Sequence, residues 1–466
     1  MKQLQREIGM EDVLHFPKDI AYLHYEDRIV AVAVETANWI VLPSVSSKEY
    51  LEELCAGKTV GEVMGQIENA GEKRLFLKLL TAIMARQFAG LDEVPEPEYV
   101  AGHKMLNIYL TNACNLRCPH RFMKAGKRLA NELTTDEWVS VLRDFKECGG
   151  TAVTLTGGEP TMHPGFRTIV ESAYRMGLQL TVLTNGILWN DELIDELSPF
   201  MAEVQISIDG VDDASNAKIR QVGTFEMLVR NVIRFSRNSV RVSVATTFTN
   251  DNIDAAEHYA ELVNRINEET DKKVIFKLTK KILPGRDTQY SEEENKAYEE
   301  KIRQVEELTD ANAKYEAFME GHTPNLISTN CGFGGLSVAA DGEVYFCNRV
   351  LEIVSQGNVR EHPLSYFLEL GEQAHEETGI AHVEPCRRCV IRNVCGGGCR
   401  IDEYDFRGRT WEKERYRLRL CEADMKQLVG LPQQSNYYGE RCRFLHGYQK
   451  AGDLSCLKNL TYYLAI

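Results

Sequence analysis

The chain has 466 residues, of which 43% are hydrophobic and 26% charged, a composition typical of a globular protein with two or three domains. Its formal net charge of −15 argues against a general nucleic-acid or anionic-membrane partner. It contains no run of about 18 apolar residues, and Met1–Met10 is polar, so we expect a cytoplasmic protein that does not cross a membrane.

The first segment, residues 1–91, combines strand-like and helical patterns. Ile20–Val34 and Trp39–Leu42 carry the apolar stretches of strands. Three patterns with helical apolar spacing follow, at Ser47–Leu54, Thr59–Ile67 and Gly71–Phe88. This order predicts a small α+β unit of the winged-helix kind, which ends before an acidic, proline-containing linker at residues 92–103.

Strands and helices then alternate across residues 104–310. The predicted strands are 104–110, 152–155, 178–184, 203–208, 241–247 and 274–278. Thr134 and Glu137 form a capping box at the start of the first helix, and Gly149 provides a stop signal after it. Six such repeats predict an α/β fold with a parallel sheet curled into a partial (β/α)6 TIM-like barrel. Its site would lie in the loops at the carboxyl ends of the strands.

Two cysteines follow the first of these strands. Cys114 and Cys118 have three residues between them, and two thiolates at this spacing suggest a metal loop. The loop resembles the signature of radical S-adenosylmethionine (SAM) enzymes, in which Cys-x3-Cys-x2-Cys holds a [4Fe-4S] cluster that leaves one iron open for SAM. The third position here is Arg121, whose guanidinium offers only hydrogen-bond donors and cannot replace a thiolate.

The resemblance extends to a turn after the second strand. Gly157, Gly158 and Glu159 resemble the motif that holds the methionyl amino group of SAM, since glycine lets the backbone approach a ligand closely.

The same resemblance implies further cofactor contacts. Ser207 and Asp209 lie on the polar face of the fourth strand, as candidates for the SAM ribose or the substrate. Arg220 matches a position near the SAM carboxylate. His120 and Phe122 flank the missing ligand and are expected near the adenine.

A second group of cysteines falls in residues 311–430. Thirteen cysteines without a secretory signal favour metal ligation over disulfides. Seven of them, together with Gly342, resemble the SPASM auxiliary-cluster domain. By this resemblance, three cysteines hold the first auxiliary [4Fe-4S] cluster: Cys331, Cys347 and Cys399. Four hold the second: Cys386, Cys389, Cys395 and Cys421.

Several points about the cysteines stay open at this stage. Spacing alone also permits a pair of zinc ribbons. The first auxiliary cluster has either an open iron or a ligand from the tail, residues 431–466, such as Cys442. Cys55 and Cys148, on predicted helices, are expected to be buried packing residues.

Together these motifs resemble radical SAM/SPASM peptide maturases of the sactipeptide or ranthipeptide type. The resemblance implies an oxidoreductase that forms a thioether cross-link in a ribosomally synthesised peptide (RiPP), using a 5′-deoxyadenosyl radical to abstract hydrogen. It also implies a precursor peptide whose leader binds the first segment, and a flavodoxin- or ferredoxin-like electron donor.

Three alternatives remain. The first is formylglycine formation on a sulfatase. The second is a catalytically silent, peptide-binding scaffold that Arg121 deprives of its SAM-binding cluster. The third is a first cluster that assembles with a non-cysteine third ligand.

Overall fold

The computed structural model describes most of the chain up to residue 401. The described residues are 8–25, 28–96, 104–121, 123, 125–279, 282–283, 285–309, 331–384, 386–390, 392–395 and 397–401. The candidates Phe122 and Cys421, and the tail cysteine Cys442, lie outside these residues. Among the helices of the described part, none is long and apolar enough to cross a membrane.

The first segment forms a three-stranded antiparallel sheet followed by three helices, as predicted. Its strands are β1 (Ile20–Tyr25), β2 (Arg28–Ala33) and β3 (Asn38–Val41). Its helices are α1 (Ser46–Cys55), α2 (Val60–Gln66) and α3 (Ala70–Ala85). Leu51, Phe76 and Leu79 are fully buried in a core cluster of this segment's own residues.

All six strands predicted in the second segment are present, and they form one parallel sheet. They are β4 (Met105–Tyr109), β5 (Ala152–Thr156), β6 (Gln179–Thr184), β7 (Glu203–Ser207), β8 (Arg241–Thr246) and β9 (Ile275–Leu278). Each strand pairs with the next along the chain. This arrangement brings the carboxyl ends of the strands to one edge, as in partial TIM-like barrels.

Helices alternate with these strands along the chain, and the last helix follows β9. They are α4 (Thr135–Glu147), α5 (Phe166–Arg175), α6 (Asp191–Leu197), α7 (Asp213–Ala217), α8 (Phe225–Arg237), α9 (Tyr259–Thr270) and α10 (Glu292–Leu308). The predicted capping box starts α4, because the Thr134 N–H donates to Glu137 Oε2 at 2.7 Å and Thr134 Oγ1 accepts from the Glu137 N–H at 3.3 Å. Trp138 and Phe145 on this helix are fully buried in the main core.

Three short strands extend the sheet beyond β4, which the sequence patterns did not predict. They are β10 (Leu336–Val338), β11 (Glu343–Tyr345) and β12 (Gly357–Asn358), and the helices α11 (Leu364–Glu377) and α12 (Arg392–Cys395) follow. Strand β10 runs parallel to β4, with Leu336 opposite Leu106. The described sheet therefore has nine strands in the order β12-β11-β10-β4-β5-β6-β7-β8-β9. A three-residue strand carries too little periodicity to be recognised in a sequence.

Two neighbouring loops make close backbone contact at the carboxyl edge of the sheet. The N–H of Gly158 donates to the carbonyl of Thr111 at 2.6 Å, and the N–H of Glu159 donates to that of Ala113 at 2.7 Å. A Cβ atom on Gly158 would lie 2.0 Å from the Ala113 carbonyl oxygen. Only glycine therefore allows the turn after β5 to approach the loop after β4.

This contact predicts that Gly158→Ala destabilises the protein. The added methyl would force the two loops apart, so we expect the free energy of unfolding to fall by about 1–3 kcal/mol in urea denaturation. Gly126→Ala is the matched control, because a Cβ at Gly126 meets no atom within 4 Å. Equal stabilities for the two variants would contradict the close approach.

Candidate cofactor site and cysteine centres

The loop that carries Cys114 and Cys118 begins directly after β4 and folds back on itself. The N–H of Cys114 donates to the carbonyl of Gly126 at 2.9 Å, and the N–H of Gly126 donates to that of Asn112 at 2.8 Å. These bonds close the loop at its base. Cys118 is buried, whereas Cys114 is partly exposed.

A buried carboxylate, Glu132, anchors the base of this loop. It accepts hydrogen bonds from Thr111 Oγ1 and the Asn112 N–H, both at 2.8 Å, and from Arg128 Nε at 3.0 Å. Sequence reasoning missed Glu132. The only available signal was an acidic residue shortly before a helix cap, which is common in solvent-exposed loops.

The carboxylate of Glu159 is fully engaged in holding loops together. It accepts from Thr184 Oγ1 at 2.7 Å and the Asn185 N–H at 2.8 Å, both at the end of β6, and from Thr161 Oγ1 at 2.7 Å. Only 1% of Glu159 is exposed. The part of the turn that remains available to a ligand is therefore its backbone, the carbonyls of Gly157 and Gly158.

Arg121 reaches those two carbonyls. Its Nη2 donates to the carbonyl of Gly157 at 2.8 Å and to that of Gly158, while its Nη1 donates to Cys114 Sγ at 3.0 Å. A SAM-binding [4Fe-4S] cluster of the family type needs three thiolates, and this loop supplies two. Because the guanidinium also lies against Cys114, these residues do not fit that cluster.

A buried polar cluster lies beside Cys118. Arg220 Nη2 and Asp209 Oδ2 form an ion pair at 2.8 Å, and His120 Nε2 lies 3.7 Å from the same oxygen. Asp209 Oδ1 also accepts from the Thr247 N–H at 2.8 Å. The structure thus brings together three of the predicted cofactor residues: His120, Asp209 and Arg220.

Burial governs the protonation of this cluster. It lowers the pKa of His120, and Asp209 opposes the shift, so the ring is neutral at pH 7. Burial raises the pKa of the Cys118 thiol, and Arg220 opposes that shift. Within the described residues, His120 Nδ1 and Arg220 Nε have no hydrogen-bond partner. Two buried nitrogen atoms therefore remain available to a polar ligand.

Ser207 is the last residue of β7 and is half-buried. Its backbone pairs with Ala245 on β8. It lies at the carboxyl edge of the sheet, two residues before Asp209.

The loop after β9 closes over the cysteine loop. The N–H of Arg286 donates to the carbonyl of Arg121 at 3.0 Å, and the N–H of Asp287 donates to that of Pro119 at 2.9 Å. A Cβ on Gly285 would lie 2.6 Å from backbone atoms of His120. The first and last strands of the barrel therefore contribute loops to the same site.

Three cysteines of the second group, one before β10 and two after it, lie near each other. Cys399 donates a hydrogen bond that lowers the pKa of Cys331, with further contributions from the buried Arg400. Cys347 interacts electrostatically with Cys399, and Arg349 Nη1 lies 3.7 Å from Cys399 Sγ. Thiols beside guanidinium groups are suited to binding an iron–sulfur cluster or zinc as thiolates.

The other predicted ligands are only partly described. Cys386 and Cys389 share a short 3-10 turn, where the N–H of Cys389 donates to the carbonyl of Cys386 at 2.9 Å. Cys395 ends α12. Among the described residues no group of three or more His, Cys, Asp or Glu side chains has a metal-holding arrangement.

Two other cysteines differ from expectation. Cys55 is exposed and Cys148 is partly exposed, so the prediction that both are buried was wrong. The reason is their position at the carboxyl ends of α1 and α4, where a side chain is less covered by the core.

Tyr109 connects the two cysteine systems. It ends β4, and its hydroxyl donates to the carbonyl of Asn348, next to Cys347. Burial raises the pKa of Tyr109; Cys347 raises it further, and Arg121 lowers it. One buried phenol therefore lies within electrostatic reach of both centres.

Comparison with known proteins finds a family match over part of the chain. A profile of the Radical SAM superfamily matches residues 108–263. The sporulation killing factor maturation protein SkfB of Bacillus subtilis is 33% identical over 155 residues, which is 33% of this chain and 38% of SkfB. The mycofactocin maturase MftC of Mycobacterium tuberculosis is 27% identical over 316 residues, covering 62% of this chain and 76% of MftC.

A solved structure agrees with this result at the level of the fold. Native anSMEcpe with bound AdoMet and Kp18Cys peptide superimposes with a TM-score of 0.50 at 19% identity, covering 74% of this chain and 99% of the other. Enzymes of this superfamily use a [4Fe-4S] cluster and SAM. Residues 108–263 are therefore similar to the Radical SAM superfamily, and the relatives that the chain resembles include proteins named as maturases.

Proposed function

We propose that this chain has the architecture of a radical SAM/SPASM maturase that forms thioether cross-links in a ribosomally synthesised peptide, and that Arg121 leaves it unable to cleave SAM. One observation carries the proposal. The hydroxyl of Tyr109, at the end of the strand that leads into the Cys114 loop, donates to the carbonyl of Asn348, next to Cys347. A peptide bound beside Tyr109 would therefore face both cysteine systems.

The polar cluster supports a binding site for an amino-acid group. Arg220 offers a permanent charge and a free Nε to a carboxylate, and Asp209 fixes its orientation through the 2.8 Å ion pair. The neutral His120 ring has a buried Nδ1 without a partner among the described residues, and it is assigned to the adenine end of SAM. Arg220 and Asp209 would bind and orient the methionyl end, with Ser207 beside the ribose.

The cysteines of the second group are assigned to auxiliary clusters. Cys331, Cys347 and Cys399 would hold the first, and Cys386, Cys389, Cys395 and Cys421 the second. Such clusters supply electron transfer or a site for a substrate thiolate. A flavodoxin- or ferredoxin-like donor and a cytoplasmic location belong to the same proposal.

The first segment supports recognition of a precursor peptide. In the described sheet, β1 and β3 are both edge strands. An edge can accept an extended leader as an added strand. This unit favours leader-guided chemistry over formylglycine formation on a sulfatase, because a recognition unit is most useful when the modified site is short and variable.

A silent peptide-binding scaffold is the second candidate. The observation that favours it is the placement of Arg121 against Cys114 and the glycine carbonyls, where the family needs a third thiolate. Arg121→Cys separates the two candidates, because only a maturase gains SAM cleavage when the third thiolate is supplied.

After anaerobic reconstitution, we expect the unaltered chain to hold about eight irons, as two clusters, and to form no 5′-deoxyadenosine. Arg121→Cys supplies the missing thiolate, so iron should rise to about twelve and SAM cleavage should begin. Iron and sulfide analysis, with chromatography of the nucleoside product, measures both. Normal SAM cleavage by the unaltered chain would refute the role given to Arg121.

Cys399→Ala should lower the iron content of the reconstituted chain by about four, because it removes a ligand from one auxiliary cluster. Cys148→Ala is the control, since Cys148 caps α4 and has no proposed ligand role. Iron analysis and the visible absorption spectrum measure the effect. A colourless, zinc-loaded protein without sulfide would show that the cysteines form zinc ribbons instead.

Deletion of residues 1–91 should weaken binding of the precursor leader by at least tenfold. The test uses fluorescence anisotropy with synthetic peptides from short reading frames beside the gene. Circular dichroism of the truncated chain checks that the barrel stays folded. If the truncated and full chains bind equally, the first segment has a packing role only.

A further inference from the structure

The Arg121 side chain donates to two backbone carbonyls and to a sulfur atom, Cys114 Sγ, which also accepts from the Leu116 N–H at 3.4 Å. Its Nη2 donates to the carbonyls of Gly157, at 2.8 Å, and Gly158, and its Nη1 donates to Cys114 Sγ at 3.0 Å. These are charge-assisted hydrogen bonds, because the donor is a charged guanidinium. The guanidinium thus binds in the way that a cationic ligand would.

The position of the two carbonyls is fixed by the surrounding backbone. The N–H groups of Gly158 and Glu159 are bonded to the loop after β4, at 2.6 and 2.7 Å. Gly157 has a φ of +128°, a conformation reserved for glycine. The turn therefore cannot rotate its carbonyls toward a second cation while Arg121 remains in place.

We propose that Arg121 is an intramolecular ligand that fills the amino-group subsite of the SAM pocket, and so excludes SAM whether or not a cluster is present. The ammonium of SAM and the guanidinium of Arg121 are both cations that need the same carbonyl acceptors. This inference rests on the proposed function, because it assigns Gly157 and Gly158 to the methionyl ammonium.

Arginine is suited to this role, because a guanidinium is a permanent cation in proteins. Because the competitor is part of the chain, its local concentration at the carbonyls is high and cannot be diluted. Arg121 therefore has two separable effects: it removes an iron ligand, and it occupies a ligand subsite.

The test measures nucleotide binding to protein without clusters, by isothermal titration calorimetry under non-reducing conditions. Arg121→Met keeps a long side chain but removes the donors, and Arg121→Ala removes the side chain. We expect both variants to bind SAM at least tenfold more tightly than the unaltered chain. Arg117→Ala, an exposed arginine on the same loop, should leave the affinity unchanged.

A second nucleotide identifies the subsite. 5′-Methylthioadenosine lacks the amino-acid group, so its affinity should be the same in the unaltered chain and in both Arg121 variants. Arg121→Lys retains a cation and should remain closer to the unaltered chain than to Arg121→Met in its affinity for SAM.

Three results would overturn the inference. SAM affinity that does not change in Arg121→Met and Arg121→Ala, while reconstituted Arg121→Cys binds SAM, would refute the occupied subsite and leave the proposed function intact. An equal gain in affinity for 5′-methylthioadenosine would show that the Arg121 side chain blocks the whole pocket sterically and does not fill the amino-group subsite alone. If reconstituted Arg121→Cys also fails to bind SAM, the pocket is not a SAM site, and the proposed function fails together with this inference.

Discussion

Two backbone hydrogen bonds, from Gly158 to Thr111 and from Glu159 to Ala113, hold the turn after β5 against the loop after β4. The bonds are 2.6 and 2.7 Å long, and they bring the two segments so close that a Cβ at position 158 would collide with the Ala113 carbonyl. Because of this contact, the carbonyls of the turn and the sulfur of Cys114 lie within reach of one guanidinium. What the site can bind depends on whether the Arg121 guanidinium or a ligand occupies the space between these carbonyls and Cys114.

The buried carboxylates of the site have different roles. Glu132 and Glu159 each accept several hydrogen bonds from neighbouring loops, so their charges are used to hold backbone segments in place. Asp209 instead pairs with Arg220, whose Nε has no partner among the described residues. Capacity to bind a ligand therefore remains at Arg220, whereas the carboxylates of Glu132 and Glu159 are already used by the loops.

Local patterns in the sequence predicted much of the fold. The six parallel strands and the capping box of α4 depend on residues close together in the chain, and each was found where the pattern predicted it. The β10–β4 pairing and the anchoring role of Glu132 depend on distant residues, so periodicity could not reveal them. The sequence showed Arg121 as a departure from a cysteine motif. Its contact with the glycine carbonyls depends on how the turn after β5 folds against the loop after β4, which no local pattern reveals.

The pairing of β10 with β4 also has a consequence for biosynthesis. Tyr109 and Asn348, which meet beside these strands, are 239 residues apart in sequence. While the ribosome makes the intervening chain, β4 has an uncovered edge that can associate with other nascent strands. Completion of the sheet, and with it the arrival of Cys331 and Cys347 beside the barrel, must wait until most of the polypeptide has emerged. Under the proposed function, cluster loading on those cysteines is therefore a late event in the maturation of the protein itself.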